Sequence, residues 1–219
     1  MTNDEKYKDA FGLGANPDLE KAERALQHAL DIRKFEIGLY WQRATYFWTL
    51  IAATFAGYFA VLSAEHMKDK EFNAYVIACV GLIFSIAWFL TNRGSKFWQE
   101  NWENHVDMLE DKITGPLYKT VLYRPAAGNV LSRTFEGPAP YSVSQINQWA
   151  SLFTVAVWLP LIGNVLPEFN FEHAVSIKHC AVGVITVIAV FLMVSRTMSN
   201  IVDGDKNSKS VKRTAAIKD

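Results

Sequence analysis

Histidine and cysteine are the residue types in this sequence that could bind a metal or act as a nucleophile. The chain has five histidines and two cysteines, and no two of them stand three or four residues apart, the spacing that would pair them as metal ligands on a helix. It contains no P-loop, GxSxG, HExxH or paired CxxC motif. We therefore predict that the protein is not an enzyme and has no catalytic, cofactor-binding or metal site and no cofactor.

His105 lies two residues after Glu103 and two before Asp107. This spacing is a weak indication of a metal or catalytic site, and an ordinary imidazole on a helix surface is the alternative. Cys79 and Cys180 are expected to be small apolar residues of a helical core. Three histidines fall in short loops, where they form either a proton-sensitive cluster or ordinary loop residues; they are His66, His173 and His179.

The uneven distribution of charge along the chain defines the class of protein. The net charge is zero, half of the residues are hydrophobic, and the mean hydropathy is +0.05. Zero net charge gives no reason to expect nucleic acid as a partner. Four stretches contain no Asp, Glu, Lys or Arg: 44–64, 72–92, 137–167 and 179–195. Since about 20 apolar residues span a bilayer, we predict an all-α, polytopic membrane protein with four transmembrane helices, not a cytosolic enzyme or a β-barrel.

Lysine and arginine counts orient these spans. Three of the 22 (Lys68, Lys70 and Lys178) lie in two short loops, and the other nineteen lie in the terminal regions or the central segment. Cytoplasmic segments are enriched in Lys and Arg, so both termini and the central segment are predicted to be cytoplasmic. The predicted organisation is a cytoplasmic region 1–43, a hairpin 44–92 with spans 44–63 and 72–92, a cytoplasmic helix and connector 93–145, a second pair 146–195 with spans 146–166 and 179–195, and a cytoplasmic tail 196–219.

Aromatic residues cluster at the predicted cytoplasmic ends of the spans and indicate an interfacial belt. Its members are Tyr40, Trp41, Tyr46, Phe47, Trp48, Trp88, Phe89 and Trp149. Neutral polar residues within the spans either join helices by hydrogen bonds or line a wet pathway. They include Thr45, Thr49, Thr54, Asn73, Ser85, Asn147, Gln148, Ser151, Thr154, Asn164 and Thr186. The small pairs Ala53/Gly57, Ala74/Ala78 and Gly81/Ser85 favour close helix packing, and Pro160 should kink span three.

Two long helices are predicted to extend the first hairpin beyond the membrane. The first begins near residue 17, where Asn16 can cap the helix and Pro17 fits its first turn. The second continues span two until Gly115 and Pro116 end it. It carries one apolar stripe, formed by Trp98, Trp102, Val106, Leu109 and Ile113.

The two extensions should pack against each other with Arg43 level with Arg93. This register brings opposite charges together at four places: Arg33 with Glu103, Glu36 with Lys96, Arg24 with Glu110, and Glu23 with Lys112. Exposed ion pairs contribute only about 0–1 kcal/mol each. They therefore set the register, while the tryptophan stripe supplies most of the stability.

Prolines and glycines predict an irregular connector at 116–145, after which Ser142 or Ser144 caps span three. The polar tail after Asn200 is predicted to be disordered. Its basic end either touches anionic lipid or only keeps the tail soluble.

Several short motifs resemble a known family. They are Tyr40-Trp41-Gln42-Arg43-Ala44 with Phe47, Gly81 with Ser85 and Trp88, Ser95-Lys96-Phe97-Trp98 with Trp102, His105 and Leu109-Glu110, and Tyr141-Ser142-Val143-Ser144-Gln145-Ile146-Asn147. Over about residues 30–165 the chain resembles the RipA-like octameric bacterial membrane proteins and, more loosely, the two-span SLATT-type proteins found beside bacterial defence genes. The first resemblance implies a ring-forming protein of the bacterial inner membrane with a role in stress or host adaptation.

Two functional hypotheses follow. The first is a non-enzymatic homo-oligomeric scaffold or pore, whose partners are the lipid bilayer and other copies of itself. Its predicted assembly residues are Arg43, Arg93, Lys96, Trp98, Trp102 and Glu110. The second, implied by the SLATT-type resemblance, is a membrane effector or sensor of a defence system that responds to a soluble cytoplasmic protein through the connector 116–145 and the tail.

Overall fold

The structure, a computed structural model, describes residues 3–122, 139–167 and 176–197. These residues are helical apart from turns and short connections, which confirms the predicted all-α class. The helices are α1 (Asn3–Ala10), α2 (Leu19–Ser63), α3 (Lys70–Leu109), α4 (Val143–Val165) and α5 (Ile177–Arg196), and a short 3-10 turn, Glu110–Lys112, follows α3. Helices α2 to α5 are each long and apolar enough to cross a membrane. The predicted disordered tail and residues 123–138 of the connector lie outside the described residues.

Capping residues set the starts of two helices. Helix α2 begins at Leu19, because the Asp18 carboxylate accepts the backbone N–H of Lys21 at 3.0 Å. The prediction that Asn16 caps this helix was therefore wrong. Ser142 caps α4, as predicted, and its hydroxyl accepts the backbone N–H of Gln145 at 3.3 Å.

The two long helices exceed what a bilayer requires. Helix α2 has 45 residues and α3 has 40, whereas a spanning helix needs about 20. The chain divides into two compact units, to both of which α2 and α3 contribute. Of the described residues, the extension unit contains 3–37, 97–122 and 139–141, and the span unit contains 38–96, 142–167 and 176–197.

Helix α3 is the common neighbour of the other helices in the span unit. Its buried small residues form one stripe: Ala74, Ala78, Gly81 and Ser85. Trp158 of α4 packs on Gly81, and Tyr75 of α3 donates its hydroxyl hydrogen to the backbone carbonyl of His179 in α5 at 3.3 Å. Small residues allow this close approach, as predicted for the pairs Ala74/Ala78 and Gly81/Ser85.

The extension unit has a separate apolar core. Ala22, Leu26 and Ala29 of α2 pack with Val106 and Leu109 of α3. Tyr7 and Leu13 from the N-terminal segment complete this core. Helix α1 was not predicted from the sequence, and its Tyr7 is one of the aromatic residues in this core.

Candidate functional site

The six predicted assembly residues are divided between the two units. Arg43, Arg93 and Lys96 belong to the span unit, and Trp98, Trp102 and Glu110 belong to the extension unit. All six residues make contacts in the structure. The contacts of five are described below, and the sixth, Lys96, also has an interaction partner. Their role in assembly remains a prediction.

The two arginines beside the predicted span ends of the first hairpin have different environments. Arg43 donates a hydrogen bond from its guanidinium to the Ser95 hydroxyl at 2.9 Å, which joins α2 to α3. Ser95 is buried, so its hydroxyl has no access to water and Arg43 supplies the hydrogen-bond partner that water would otherwise provide. Arg93 is exposed, and its guanidinium lies 5.7 Å from the centre of the Phe89 ring. Arg43 thus helps to hold the hairpin together within one subunit.

The two tryptophans of the stripe pack differently. Trp102 lies against the core of the extension unit with Ile113, as the predicted stripe requires. Trp98 is partly buried and packs edge-on against Phe97 at 5.4 Å between ring centres. Phe97 is exposed, so this ring pair lies at the surface of the extension unit.

Glu110 anchors the start of the connector. Its carboxylate is fully buried and accepts the backbone N–H groups of Tyr118 at 2.7 Å and Lys119 at 3.1 Å. The predicted partner Arg24 instead pairs with Glu20 on its own helix at 3.2 Å. The prediction of an Arg24–Glu110 pair was therefore wrong, because a buried carboxylate is satisfied better by two fixed amides than by a long exposed side chain.

One of the ion pairs predicted between the two extensions is present in the extension unit. Arg33 of α2 pairs with Glu103 of α3 at 3.4 Å, as predicted. Arg33 also lies 5.6 Å from the centre of the Tyr118 ring, so it contacts the connector as well. Lys112 donates to the backbone carbonyl of Leu13 at 3.1 Å rather than pairing with Glu23. The prediction of a Glu23–Lys112 pair was therefore wrong, because the N-terminal segment supplies the partner of Lys112.

His105 lies in an aromatic cluster of the extension unit. Its Nδ1 atom is 2.6 Å from the Tyr7 hydroxyl oxygen, and its ring is 5.3 Å from that of Trp102. Burial lowers the pKa of His105 and raises the pKa of Tyr7, so both groups favour their neutral forms. The two neutral groups share one hydrogen bond in either tautomer of His105: Nδ1 accepts the Tyr7 hydroxyl hydrogen or, when it carries the proton, donates to the hydroxyl oxygen. The histidine thus holds α1 in place, which is neither of the roles weighed for it from the sequence.

A buried polar chain joins three helices of the span unit. Asn147 of α4 donates from its side-chain amide to the Tyr40 hydroxyl of α2 at 2.7 Å. Asn92 of α3 donates from its side-chain amide to the backbone carbonyl of Asn147 at 3.3 Å. All three residues are buried. Asn147 therefore joins helices, in line with the first alternative for the polar residues of the spans, and Tyr40 is not a member of the interfacial belt.

Trp158 is the largest fully buried side chain of the span unit. It stacks on Phe55 of α2 with ring centres 4.1 Å apart, and its ring covers Gly81 of α3. Tyr58 packs edge-on against the same indole and donates to the backbone carbonyl of Leu161 at 3.0 Å. Trp158 thus lies between the two helices of the first hairpin. Sequence patterns could not reveal this role, because Trp158 lies in a continuous apolar run.

The belt prediction also failed for Trp88. This residue is buried, and it packs edge-on against Trp48 with ring centres 6.3 Å apart. Four other members are exposed, as residues that face the membrane interface should be. They are Trp41, Tyr46, Trp48 and Trp149.

The opposite end of the span unit contains a small charged cleft of about 270 Å³. Lys178 pairs with Asp69 at 3.2 Å, and its ammonium group lies 4.8 Å from the centre of the Phe72 ring. His179 is 2.7 Å from the Ser176 hydroxyl and packs against Phe72. His66 is exposed, and His173 lies outside the described residues. The choice between a proton-sensitive cluster and ordinary loop histidines therefore depends on a residue outside the described ranges.

The cysteines and the residue types that bind metals can be compared with the predictions within the described ranges. No group of three or more His, Cys, Asp or Glu side chains with metal-binding geometry occurs among residues 3–122, 139–167 and 176–197. Cys79 is buried in the span unit, as predicted, whereas Cys180 is exposed, and the prediction of a core position for it was wrong.

Four apolar helices, three of which are joined by buried polar bonds, define a polytopic α-helical membrane protein. The chain belongs to the octameric membrane protein family (8xMP), whose model matches residues 23–167. This confirms the resemblance to octameric membrane proteins. The matched range covers nearly all of α2 and the whole of α3 and α4. No curated protein and no solved structure matches the chain.

Proposed function

We propose that this chain forms a non-enzymatic homo-octamer in the bacterial inner membrane and acts as a ring-shaped scaffold or pore. The observation that carries the proposal is the family match, which spans the extensions and three of the four membrane helices. Since closed symmetric rings are the usual form of membrane homo-oligomers, eight copies should surround one axis. The excess of Lys and Arg in residues 1–43, 93–145 and 196–219 supports cytoplasmic termini.

The polar contacts within one subunit support a structural rather than a chemical role. Asn147 bonds to both Asn92 and Tyr40, and Arg43 bonds to Ser95. Each bond connects two helices, which is how polar residues stabilise helix pairs in lipid. Polar side chains used in this way position the subunit's helices for assembly.

The assembly is tested by measuring the mass of the detergent-purified full chain by light scattering. We expect a particle of eight subunits over a range of protein concentrations. A particle with the 24.7 kDa mass of one chain at every concentration would overturn the proposal. Dye release from liposomes that contain the purified octamer then separates a pore, which releases the dye, from a scaffold, which retains it.

Orientation and biological role need separate experiments. Reporter fusions at residue 120 and at the C terminus should both report the cytoplasm, and an external reading would overturn the proposed topology. A role in stress adaptation predicts that cells lacking the gene grow normally in rich medium but poorly under envelope or intracellular stress. Equal growth of mutant and parent cells under those stresses would contradict this part of the proposal.

A sensor for a soluble partner is a second candidate function, and the start of the connector favours it. Leu117, Tyr118, Val121 and Leu122 are exposed apolar residues outside the four spans. Contiguous apolar surface in water typically marks a contact site. Co-expression with the product of an adjacent defence gene should then change growth or membrane permeability, and Leu122→Ser should remove the effect. An unchanged response in this variant would exclude the contact.

A further inference from the structure

The outward face of α2 within the span unit has a distinct composition. Its exposed small residues recur about once per helical turn and include two threonines; they are Thr45, Thr49, Ala52, Ala53, Ala56, Ala60 and Ser63. Three exposed rings, Tyr46, Trp48 and Phe59, stand beside them. Small residues next to protruding rings form shallow holes and knobs, a surface shape suited to another helix.

The outward face of α5 in the same unit provides the contrast. Its exposed residues are mainly branched or long apolar side chains: Val184, Ile185, Val187, Ile188, Phe191, Leu192 and Val194. Such residues are the ones that favour the bilayer core most strongly. The two helices therefore have outward faces of different kinds, and the face of α5 is suited to lipid chains.

Contacts inside the subunit leave the small face of α2 without a covering helix among the described residues. Gly57 is turned towards α3, where an added Cβ would lie 3.7 Å from the Ile77 side chain. Thr45 and Thr49 donate to carbonyls of their own helix, those of Trp41 and Thr45, at 3.0 and 2.9 Å. Their hydroxyls are thus satisfied and can enter a dry interface without a polar partner.

The identity of the occupant follows from the family. An octameric ring requires each subunit to present faces that neighbouring subunits cover. Apolar burial does not drive helices together in lipid, so association depends on close van der Waals contact between backbones across small residues. We propose that the outward face of α2, from Thr45 to Ser63, is a subunit interface and that a second copy of this chain covers it. This inference rests on the proposed octamer.

Photo-crosslinking in native membranes tests the occupant directly. A benzophenone amino acid at Ala56 on α2 should produce a covalent dimer of the chain, and the same group at Ala181, an exposed alanine of α5, should not. The mass of the wild-type particle is measured first. A monomeric wild type would overturn the octamer itself. An octamer that gives no dimer from Ala56, or gives one from Ala181 alone, would overturn only the interface on α2.

Matched bulky substitutions provide the second test. Ala56→Leu should shift at least half of the protein from the octamer to smaller particles, because the added side chain separates the two backbones. Ala181→Leu adds the same volume to the α5 face and should leave the particle mass unchanged. If Ala56→Leu fails to accumulate in the membrane, Thr49→Leu is measured in its place. An octamer that survives whichever of the two α2 substitutions is measured would overturn the proposal.

Discussion

Asn92 and Asn147 meet across α3 and α4, where the side-chain amide of Asn92 donates to the backbone carbonyl of Asn147 at 3.3 Å. The Asn147 amide in turn donates to the Tyr40 hydroxyl at 2.7 Å, so three helices are linked through one residue. Each bond is buried, and its polar atoms have no access to water that could replace the partner. These bonds make Asn147 the point at which the second span pair is fixed to the first.

Replacing Asn147 by Ala should weaken this link. The Tyr40 hydroxyl would lose its partner, and we expect a loss of roughly 0.6–2 kcal/mol, the range of interhelical hydrogen bonds in membranes. Thermal unfolding of the purified protein in detergent measures the change as a lower Tm. Asn164→Ala, at an exposed position of the same helix, is the control and should leave the Tm within error of the wild type. Equal Tm values for all three proteins would mean that the chain of bonds contributes nothing measurable.

Gly81 and Trp158 provide a test of packing at the centre of the span unit. A Cβ added at Gly81 would lie 2.3 Å from Cζ2 of Trp158, closer than atoms can pack. Gly81→Ala should therefore destabilise the protein by about 1–3 kcal/mol through overpacking. Gly163→Ala is the control, since a Cβ there meets no atom within 4 Å and a helical alanine is favoured over glycine by about 1 kcal/mol. Detergent melting curves compare the two.

Trp158→Phe should partly rescue Gly81→Ala. Phenylalanine lacks the second ring of tryptophan, and no hydrogen bond is lost because the buried Trp158 indole N–H has no partner among the described residues. The double variant should then lose less free energy of unfolding than the sum of the losses in the two single variants. Additive losses in the melting curves would show that the close approach of Gly81 and Trp158 does not limit stability.

The spans could be predicted from the sequence because the rule that defines them is local. A run of about 20 uncharged residues is visible without knowledge of any contact, and all four runs became apolar helices. The Ser142 cap and the Arg33–Glu103 pair were also accessible, the first from helix-start chemistry and the second from the register of a hairpin. Periodicity and charge are sufficient for features of this kind.

The remaining contacts depend on residues that are far apart in sequence. Tyr7 contacts His105, and Tyr58 contacts Leu161, and no local pattern links the members of either pair. Helix α1 is eight residues long and strongly polar, so its apolar contribution rests mainly on one buried tyrosine. The Arg24–Glu110 pair failed for a related reason, because the turn after Gly115 brings backbone amides back onto Glu110. Complementarity of charge along two helices could not reveal this turn.

Glu110 should control the order of the connector's first residues. In Glu110→Gln one carboxylate oxygen becomes an NH2 group, which cannot accept an amide hydrogen, so at least one bond to Tyr118 or Lys119 is lost. Buried hydrogen bonds to charged groups contribute about 1.5–3 kcal/mol each, so hydrogen exchange at residues 117–120 should become faster. Asp111→Asn is the control, because it removes only the exposed ion pair with Lys119. It should change the free energy of opening, obtained from the exchange rates, by less than about 1 kcal/mol. Equal exchange in both variants would show that Glu110 does not hold the turn.

His105 should make the docking of α1 sensitive to acid. Burial lowers the pKa of this histidine in the folded protein, so below its ordinary value of about 6.5 the unfolded or undocked form binds more protons. The stability of the extension unit is therefore complete above that pH and decreases as the pH falls below it. Hydrogen exchange of residues 5–18, corrected for the intrinsic effect of pH, should become faster between pH 7.5 and 5.5.

His105→Gln separates this titration from a general acid effect. Glutamine can accept the Tyr7 hydroxyl hydrogen but cannot gain a proton in this range, so its exchange should be nearly independent of pH after correction. Burial raises the pKa of Tyr7, so this hydroxyl stays neutral throughout the range tested and does not contribute to the acid response. If the glutamine variant shows the same acid response as the wild type, another group must release α1 and the Tyr7–His105 contact is not the sensor.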